Sequence, residues 1–522
     1  MCDLLIQNAL IYDGSGVPAY HGCVAVKDGK ILYAGPEYTG SAEKTVDAKG
    51  LALSPGFIDV HSHADYSLFT DSHRLHVLRM GVTTELAGQC GVSMSPIPDD
   101  TPAHIKSTLS KPTTPTYPSL AAQRKAIETM ELGPNVKFFA GHGPIRAVTM
   151  GIGNTEATEE DIAKMQALIR QQMDEGALGY STGLSYTPGI YSNTYELTEL
   201  AKAAAEKGGM YTTHSRSESA GLFKSVEECI HIAREAKLPV NISHFKVVGK
   251  VWWDRCAKAL SMIDDAIAEG LDVTLDAYPY IAVCTTPLST VPPQFLTEGG
   301  EAFAKKLQDP KIVEAVHHYI FEVDDPSWDN SMYYVGLENF LIARAKATPW
   351  AVGKTYVQVA EELGMQPFEA WVHLMKLNNA QMYESRFAMS EENVEMILKH
   401  PKCMVGSDGV YAPGDISTHP RAFGSFPRYL GHYIRERKIL SREEGIHRIT
   451  GMPAAVYKLK GKGLIREGYD ADLVLFDYDS IQDHADFMDC FKLNEGIHQV
   501  YMAGQLVLED NEATGTWIGK YL

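Results

Sequence analysis

The sequence has few positive charges for its size and no long hydrophobic run. Its 522 residues carry 47 Lys and Arg against 66 Asp and Glu, so the formal net charge is −19 at pH 7. Nucleic acids and anionic membrane surfaces attract basic proteins, and the acidic balance therefore excludes both as expected partners. No apolar segment approaches the roughly 20 residues that span a bilayer, and the first residues lack the basic and then apolar pattern of a signal peptide.

Cysteines are also few. The eight of them form no CxxC pair and no dense framework of the kind that secreted proteins use for disulfides, so we expect a cytoplasmic protein with reduced thiols. One cysteine stands out, because Cys90 lies in the segment LAGQCGVS (86–93), where nearby glycines allow the backbone to bend tightly. A lone cysteine is most often a small buried apolar residue, so any other role needs evidence from the rest of the chain.

Both ends of the chain have the pattern of β-structure. The segments LLIQNALIYDG and CVAVKDGKILYAG near the N-terminus are short apolar runs broken by turn signals, and Asp28-Gly29 indicates a hairpin. After residue 460, ADLVLFDYD and IHQVYMAGQLVLED repeat the pattern. We therefore predict that residues 1–55 and 461–522 together form one small β-sandwich.

Between the two ends, short apolar runs alternate with helical segments. This alternation predicts a parallel sheet with βα crossovers, and the eight runs found are the number that a closed barrel needs. The predicted fold class is α/β, with a TIM-type (β/α)8 barrel formed by residues 56–286 and 401–460 beside the sandwich. Residues 287–400, between the seventh and eighth runs, are predicted to be an insertion over the barrel mouth. The runs are 57–63, 83–88, 136–143, 177–183, 210–216, 240–246, 272–280 and 403–409.

Residues of the types that bind metals concentrate at the ends of these predicted strands, where a (β/α)8 barrel holds its active site. Residues i and i+2 of a strand share a face, so His61 and His63 can point into the barrel mouth together. One such residue alone is more often part of the core, but six of them at strand ends favour a metal site. The six are His61, His63, Cys90, His214, His244 and Asp408.

Several segments resemble the amidohydrolase superfamily, whose hydrolases carry a metal-bearing (β/α)8 barrel beside a small β-sandwich. GFIDVHSHAD (56–65) resembles its HxH motif, and GLIREGYDADLVLFD (463–477) resembles its C-terminal signature. Many members bridge two metals with a carbamylated lysine on the fourth strand, but this chain has no lysine between Lys164 and Lys202. The resemblance alone therefore leaves the bridging group to be found.

The N-acyl-D-amino-acid deacylases (D-aminoacylases) of this superfamily replace that lysine with a cysteine after the second strand, in a Gly-Asn-Cys-Gly setting. This chain has Gly88-Gln89-Cys90-Gly91, with Gln in place of Asn, and it resembles the deacylases along nearly its whole length. The resemblance implies that Cys90 is a metal ligand. It implies one tightly held Zn²⁺ on Cys90, His214 and His244. It also implies a second, weaker site on His61, His63 and Asp408 that shares the sulfur.

The same resemblance implies roles for the residues around the metal. Asp408 would move a proton between the attacking water and the leaving nitrogen, in addition to binding metal. Tyr186 would help to polarise the scissile carbonyl. Lys246, Arg421 and one tyrosine of YPY would hold the α-carboxylate of the substrate. Tyr278 is favoured over Tyr280, although both share a strand face and alternation does not choose between them.

The expected activity is zinc-dependent hydrolysis of small-molecule N-acyl-D-amino acids to a carboxylate and a free D-amino acid. Residues 281–300, just after YPY, contain no Arg or Lys, which favours an apolar or small substrate side chain over an acidic one. A hydrolase of D-terminal dipeptides or N-acyl peptides would keep the same site. A cyclic amidase of the hydantoinase or dihydroorotase type fits less well, since it relies on the missing lysine, and a non-enzymatic relative would lack the metal ligands. Oligomeric state is not encoded in any of these patterns.

Overall fold

The computed structural model describes residues 1–109, 114–325, 328–411 and 419–522. Within these residues, eight short parallel strands form a ring, each paired with the next in chain order. The third strand is interrupted at Phe139, and a bridge between Ser62 and Gly409 joins the eighth strand to the first. The strands are Phe57–Asp59, Val82–Ala87, Asn135–Phe138 with Ala140–Gly141, Gly179–Gly183, Met210–His214, Val240–Ile242, Val273–Ala277 and Cys403–Val405.

This ring is the predicted (β/α)8 barrel, and each predicted run overlaps one of its strands. Nearly every residue of these strands is buried, because the inner face fills the barrel and the outer face packs against helices. The parallel arrangement also brings all eight C-terminal strand ends to one side of the molecule, which is the barrel mouth.

Helices surround the barrel and are set by local sequence signals. Helix Glu159–Asp174 begins at Thr158, whose hydroxyl and Asp161 form a reciprocal capping box, and its buried stripe of Ile162, Met165 and Ile169 faces the barrel. A wider helical segment, Tyr429–Glu436, continues the helix Arg421–Arg428. The helices around the barrel are Leu75–Leu78, Ala103–Leu109, Leu120–Ile127, His142–Met150, Glu159–Asp174, Thr194–Ala205, Leu222–Ala236, Cys256–Ala268, Glu391–Lys399, Arg421–Arg428, Arg442–Ile449 and Gly451–Val456.

The two ends of the chain, all of whose residues are described, share one nine-stranded sheet. Leu473–Phe476 pairs antiparallel with Ala52–Pro55 and so joins the C-terminal strands to the N-terminal ones. Leu4, Ile6 and Leu473 pack in a common apolar core. The remaining strands of the sheet are Cys2–Ile11, Tyr20–Lys27, Lys30–Gly35, Ala42–Asp47, Ile497–Met502, Gln505–Glu509 and Glu512–Ala513.

Most of the described residues between the seventh and eighth barrel strands, up to the strand Met382–Phe387, form a separate unit beside the barrel mouth. Met382–Phe387 is the central strand of a small antiparallel sheet, with Ala282–Thr285 on one side and Phe340–Ala345 on the other. The unit has its own apolar core around the fully buried Trp371. Its helices are Gly300–Lys306, Pro310–Glu322, Ser331–Val335, Tyr356–Leu363 and Pro367–Leu377. No helix in the described part of the chain is both long enough and apolar enough to span a membrane.

A buried ion pair stabilises the chain at the C-terminal end of the first barrel strand. The guanidinium of Arg74 donates to both carboxylate oxygens of Glu85, at 2.5 and 2.9 Å, and both side chains are at most 3% exposed. Ser62, between the two histidines of HxH, donates to the same carboxylate at 2.5 Å. The ion pair therefore links the segment after the first strand, which contains Ser62 and Arg74, to the second strand, which contains Glu85.

We expect Glu85→Ala to destabilise the protein strongly, because it leaves the buried Arg74 charge without a partner. The expected loss is about 3–5 kcal/mol in the free energy of unfolding, measured by urea denaturation. The matched control is Glu128→Ala, which breaks an Arg124–Glu128 pair whose side chains are 47% and 48% exposed. A pair of that kind contributes about 0–1 kcal/mol. Equal losses in the two variants would contradict a structural role for the buried pair.

Candidate metal centre and active site

Cys90 lies at the centre of a cluster of imidazoles in the barrel mouth. Its Sγ is 3.3 Å from Nε2 of His61, 3.3 Å from Nε2 of His244 and 3.8 Å from Nδ1 of His214. A cysteine that serves only as a small apolar residue would be surrounded by carbon. The surroundings of Cys90 are instead ring nitrogens, which come from the first, fifth and sixth strand ends.

Asp408, from the eighth strand end, adds a carboxylate to the same cluster. Its Oδ1 is 3.1 Å from Nε2 of His63 and 3.6 Å from Nε2 of His61. In the described residues, the ligand atoms of His61, Cys90, His244 and Asp408 all lie within 4.8 Å of one another, and His214 and Glu218 form an overlapping group with His244. The six residues predicted as ligands are thus placed side by side.

Backbone turns at the strand ends aim these side chains inward. Cys90, His244 and Asp408 all adopt positive φ, at 54°, 34° and 49°. This left-handed region costs energy for residues with a Cβ and is found preferentially at functional sites. Hydrogen bonds fix two of the turns. The backbone N–H of Asp408 donates to the carbonyl of His61 at 2.7 Å, and that of His244 donates to Asp276 at 2.8 Å.

Buried polar side chains orient the cluster from behind. Oδ1 of Asp276 is 3.1 Å from Nδ1 of His61, so the opposite ring nitrogen, Nε2, faces Cys90. Gln89, which replaces the Asn of the deacylase motif, donates to the carbonyl of Val60 at 2.7 Å and accepts from Thr212 at 3.2 Å. The longer amide thereby ties the first strand to the fifth, and the sulfur of Cys90 still faces the imidazoles.

The charges in the cluster stabilise one another. Burial raises the pKa of the Cys90 thiol, but His61 and His244 lower it more, so the net pKa is well below the usual value. Burial also raises the pKa of Asp408, but the Arg421 guanidinium, 2.7 Å away, and the imidazoles of His244 and His63 together hold that pKa well below its usual value. Burial lowers the pKa of His63, but the hydrogen bond to Asp408 raises it, and the net pKa is about 9. Thiolate and carboxylate are the forms that bind metals.

A second group of polar residues lies beside the cluster. The ring of Tyr278 is 5.6 Å from Nζ of Lys246 and 4.7 Å from the guanidinium carbon of Arg421. All three line the cavity that opens onto the metal-type residues. Tyr280 turns away and donates to Asp483 at 3.2 Å, so Tyr278 is the tyrosine of YPY that faces the cavity. The three side chains could hold one carboxylate.

Tyr186 lies on the other side of the cluster. Its ring meets that of His214 edge to face, with the ring centres 4.8 Å apart, and its hydroxyl is 3.1 Å from Oγ1 of Thr285. Burial raises the pKa of Tyr186, with a smaller contribution from the Cys90 charge. The phenol therefore remains protonated near neutral pH and can donate a hydrogen bond into the cavity.

The cavity has a volume of about 530 Å³ and reaches from the cluster to the inserted unit. Several of its walls are apolar and include Val92, Leu109, Pro144, Leu288 and Leu296. The sequence analysis did not find three cations that line the cavity. Arg344 and Lys346 come from the strand Phe340–Ala345 and the residue after it, and Arg386 comes from the strand Met382–Phe387.

Two functional candidates beside the cluster were also missed. Asp276 belongs to the block DAYPY, in which only the tyrosines had been considered, although it ends a strand like the predicted ligands. Glu218 follows His214 by four residues in THSRSE, and its carboxylate touches both His244 and Lys246. An acid shortly after a strand-end histidine is the available sequence signal for Glu218.

The chain has extensive similarity to known proteins. Residues 44–508 match the model of the Amidohydrolase family. The chain is 32% identical over 520 residues to a D-aminoacylase of Alcaligenes xylosoxydans xylosoxydans, covering 100% of this chain and 97% of the relative. It is also 32% identical to an N-acyl-D-aspartate deacylase of that organism, covering 98% and 93%. The chain is also similar to a crystal structure of N-acyl-D-glutamate deacylase from Bordetella bronchiseptica, complexed with zinc and a phosphonate inhibitor. The two structures compare with a TM-score of 0.84 and 30% sequence identity, over 100% of this chain and 99% of that one. The chain therefore belongs to the amidohydrolase family and, within it, to the group of the D-aminoacylases.

Proposed function

We propose that this protein hydrolyses the amide bond of N-acyl-D-amino acids, releasing a carboxylate and a free D-amino acid. The observation that carries the proposal is a single cavity with a cluster of metal-type ligands and, next to it, two cations. The cluster around Cys90 is suited to the attack of water on an amide carbonyl. Lys246 and Arg421 are suited to binding the α-carboxylate of the substrate. Relatives that match nearly the whole chain are named D-aminoacylase and N-acyl-D-aspartate deacylase.

Zinc is the metal that we propose, because a thiolate, imidazoles and a carboxylate are the donors it binds in proteins. Cys90, His214 and His244 would hold a first ion. His61, His63 and Asp408, together with Cys90, would hold a second one. When bound, zinc lowers the pKa of water to about 7 and polarises a carbonyl. The donor set fits this metal, since the sulfur contacts imidazole nitrogens of both groups.

The protein's own side chains supply the proton movements. Asp408 is ionised and reaches into the cavity, so it can accept a proton from the attacking water and pass it to the leaving nitrogen. Tyr186 keeps its proton and can donate a hydrogen bond to the carbonyl oxygen, where negative charge develops. Lys246, Arg421 and Tyr278 hold the α-carboxylate and so fix which bond faces Asp408.

The substrate side chain is the less constrained part of the proposal. The apolar walls favour an apolar or small D-side chain, as the sequence after YPY does. Arg344 and Lys346 line the same cavity, so an acidic side chain is the comparison to make. The cavity volume also has room for more than an acetyl group, which supports D-terminal dipeptides or N-acyl peptides as a second candidate substrate class.

We also propose a cytoplasmic location. All eight cysteines lie in the described part of the chain, and no disulfide joins any of them. Buried thiols that are not joined in disulfides suit a reducing compartment.

The activity is tested with N-acetyl-D-methionine and N-acetyl-L-methionine, using zinc-loaded protein and release of free amino acid as the readout. We expect turnover of the D-form and at least 100-fold less, on the order of 3 kcal/mol, for the L-form, because the L-form cannot bind the carboxylate cradle and present its amide together. N-acetyl-D-glutamate and a D-terminal dipeptide complete the panel. A preference for L-substrates, or no turnover of any linear amide, would refute the proposal.

Asp408→Asn tests the proton transfer. We expect kcat to fall by about 10²–10⁴-fold, because the amide side chain cannot accept the proton, while KM changes little. The matched control is Asp483→Asn, since Asp483 is also a buried aspartate near an arginine, Arg428, but lies away from the cluster. Steady-state kinetics of both variants, with metal content measured in parallel, separate proton transfer from metal loss. Wild-type kcat in Asp408→Asn would remove Asp408 from the mechanism.

Metal removal tests the cofactor. We expect dialysis against a chelator to abolish activity and added zinc to restore it, because the attacking water then lacks its activating ion. Cys90→Ser is expected to purify with less zinc than the wild type, as a hydroxyl is a poorer ligand than a thiolate. Cys229→Ser, at a buried cysteine in an outer helix, serves as the control and is expected to keep wild-type zinc content. Full activity after chelation would exclude a metal-dependent reaction.

A further inference from the structure

Glu218 connects the cluster with the carboxylate cradle and has no role in the predicted mechanism. Its Oε1 is 2.5 Å from Nζ of Lys246 and 3.1 Å from Nδ1 of His244. Lys246 and His244 are themselves in contact, with Nζ 2.7 Å from Nδ1. A substrate-binding cation therefore stands directly against an imidazole of the cluster, and one carboxylate oxygen touches both.

The contact between Lys246 and His244 places two hydrogen-bond donors side by side. His244 turns Nε2 toward Cys90, so Nε2 is the nitrogen available to a metal and Nδ1 must then carry the proton. An ammonium and an N–H are both donors, and they repel at hydrogen-bond distance unless an acceptor lies between them. Oε1 of Glu218 is within hydrogen-bond distance of both groups. Among the described residues, Glu218 is the acid with an oxygen that reaches both atoms.

We propose that Glu218 is a positioning residue with two effects. Its carboxylate accepts the Nδ1 proton of His244 and thereby fixes the imidazole with Nε2 toward the metal. The same oxygen holds the Lys246 ammonium at the cradle, where it binds the α-carboxylate of the substrate. The second effect rests on the proposed function, whereas the first does not.

A distant part of the chain holds the backbone of Glu218 in this place. Its backbone N–H donates to Oδ2 of Asp329 at 2.6 Å, and the hydroxyls of Ser217 and Ser219 both donate to Oδ1 of Asp329 at 2.5 Å. Its carbonyl accepts from the N–H of Val248 at 2.8 Å. Asp329 belongs to the inserted unit, so this clamp joins the insertion to the loop after the fifth strand. These hydrogen bonds fix the backbone of Glu218, so its side chain starts from a defined position beside His244 and Lys246.

Glu218→Gln is the first test, because it keeps the shape and removes the charge. We expect zinc affinity, measured by chelator competition without any substrate, to fall by about 10–100-fold, as for other partners of metal-bound histidines. We expect KM for N-acetyl-D-methionine to rise by about tenfold or more, with a smaller change for its carboxamide, which has no carboxylate for Lys246 to bind.

The matched control is Glu228→Gln. The Glu228 side chain is 11% exposed, close to the 10% of Glu218, and it pairs with Arg216 at 3.2 Å rather than with Lys246 or His244. We expect wild-type zinc affinity and KM in this variant. The same losses in both variants would show a general effect of removing a buried carboxylate and would overturn the proposal.

A double variant separates positioning from direct ligation. In the Lys246→Met background, Glu218→Gln is expected to raise KM no further, because the two residues act as one unit. Additive effects on KM would overturn the role in the cradle. A loss of bound zinc in Glu218→Gln as large as the loss in Cys90→Ser would make Glu218 a ligand and overturn the positioning role. If Glu218→Gln does not fold, Asp329→Asn loosens the clamp instead and is expected to shift both quantities in the same direction by a smaller factor.

The measurement of zinc affinity also distinguishes the proposed role of Glu218 from the proposed function. If the wild-type protein hydrolyses no N-acyl-D-amino acid, the proposed function fails, but the competition experiment still measures how Glu218 affects zinc affinity. Unchanged zinc affinity in Glu218→Gln, with active wild-type protein, overturns the positioning of His244 and leaves the proposed function intact.

Discussion

The charged groups around Cys90 have neighbours of opposite sign, because side chains this buried cannot be compensated by water. The Cys90 sulfur faces His61, and His61 has Asp276 behind it. Asp408 has Arg421 at 2.7 Å. An unpaired charge at this depth would cost several kcal/mol (roughly 3–5) or would be neutralised by a shift in its pKa. The identity of each residue in the mouth therefore depends on its neighbours.

This dependence explains how a barrel can hold so many ionisable groups in a small volume. Parallel strands bring their ends together, but the strands alone do not aim the side chains. Left-handed turns at Cys90, His244 and Asp408 do so. The backbone N–H groups of His244 and Asp408 donate to the Asp276 carboxylate and the His61 carbonyl, and these hydrogen bonds keep two of the turns in place. The strain of the turns is tolerable because the surrounding barrel is rigid and fully packed.

The sequence was sufficient for features that depend on local pattern. Eight apolar runs predicted the barrel strands, and chemical type at the strand ends singled out the six residues that the fold brings together. Contacts between remote segments were not predictable in this way. Glu218 meets Lys246, and Asp329 holds Glu218, across distances in the chain that no periodicity encodes. Arg344 was missed for the same reason, because an inserted strand reaches the cavity only through tertiary packing.

The sheet shared by the two ends of the chain has a consequence for synthesis. Ala52–Pro55 has Leu473–Phe476 as its antiparallel neighbour, so the N-terminal strands lack that partner until most of the chain has been made. At about 5–20 residues per second, the wait is roughly 20–80 s. During that time an edge strand is open to pairing with other nascent chains. We expect the nascent chain to be most open to aggregation during this interval, before its C-terminal strands are made.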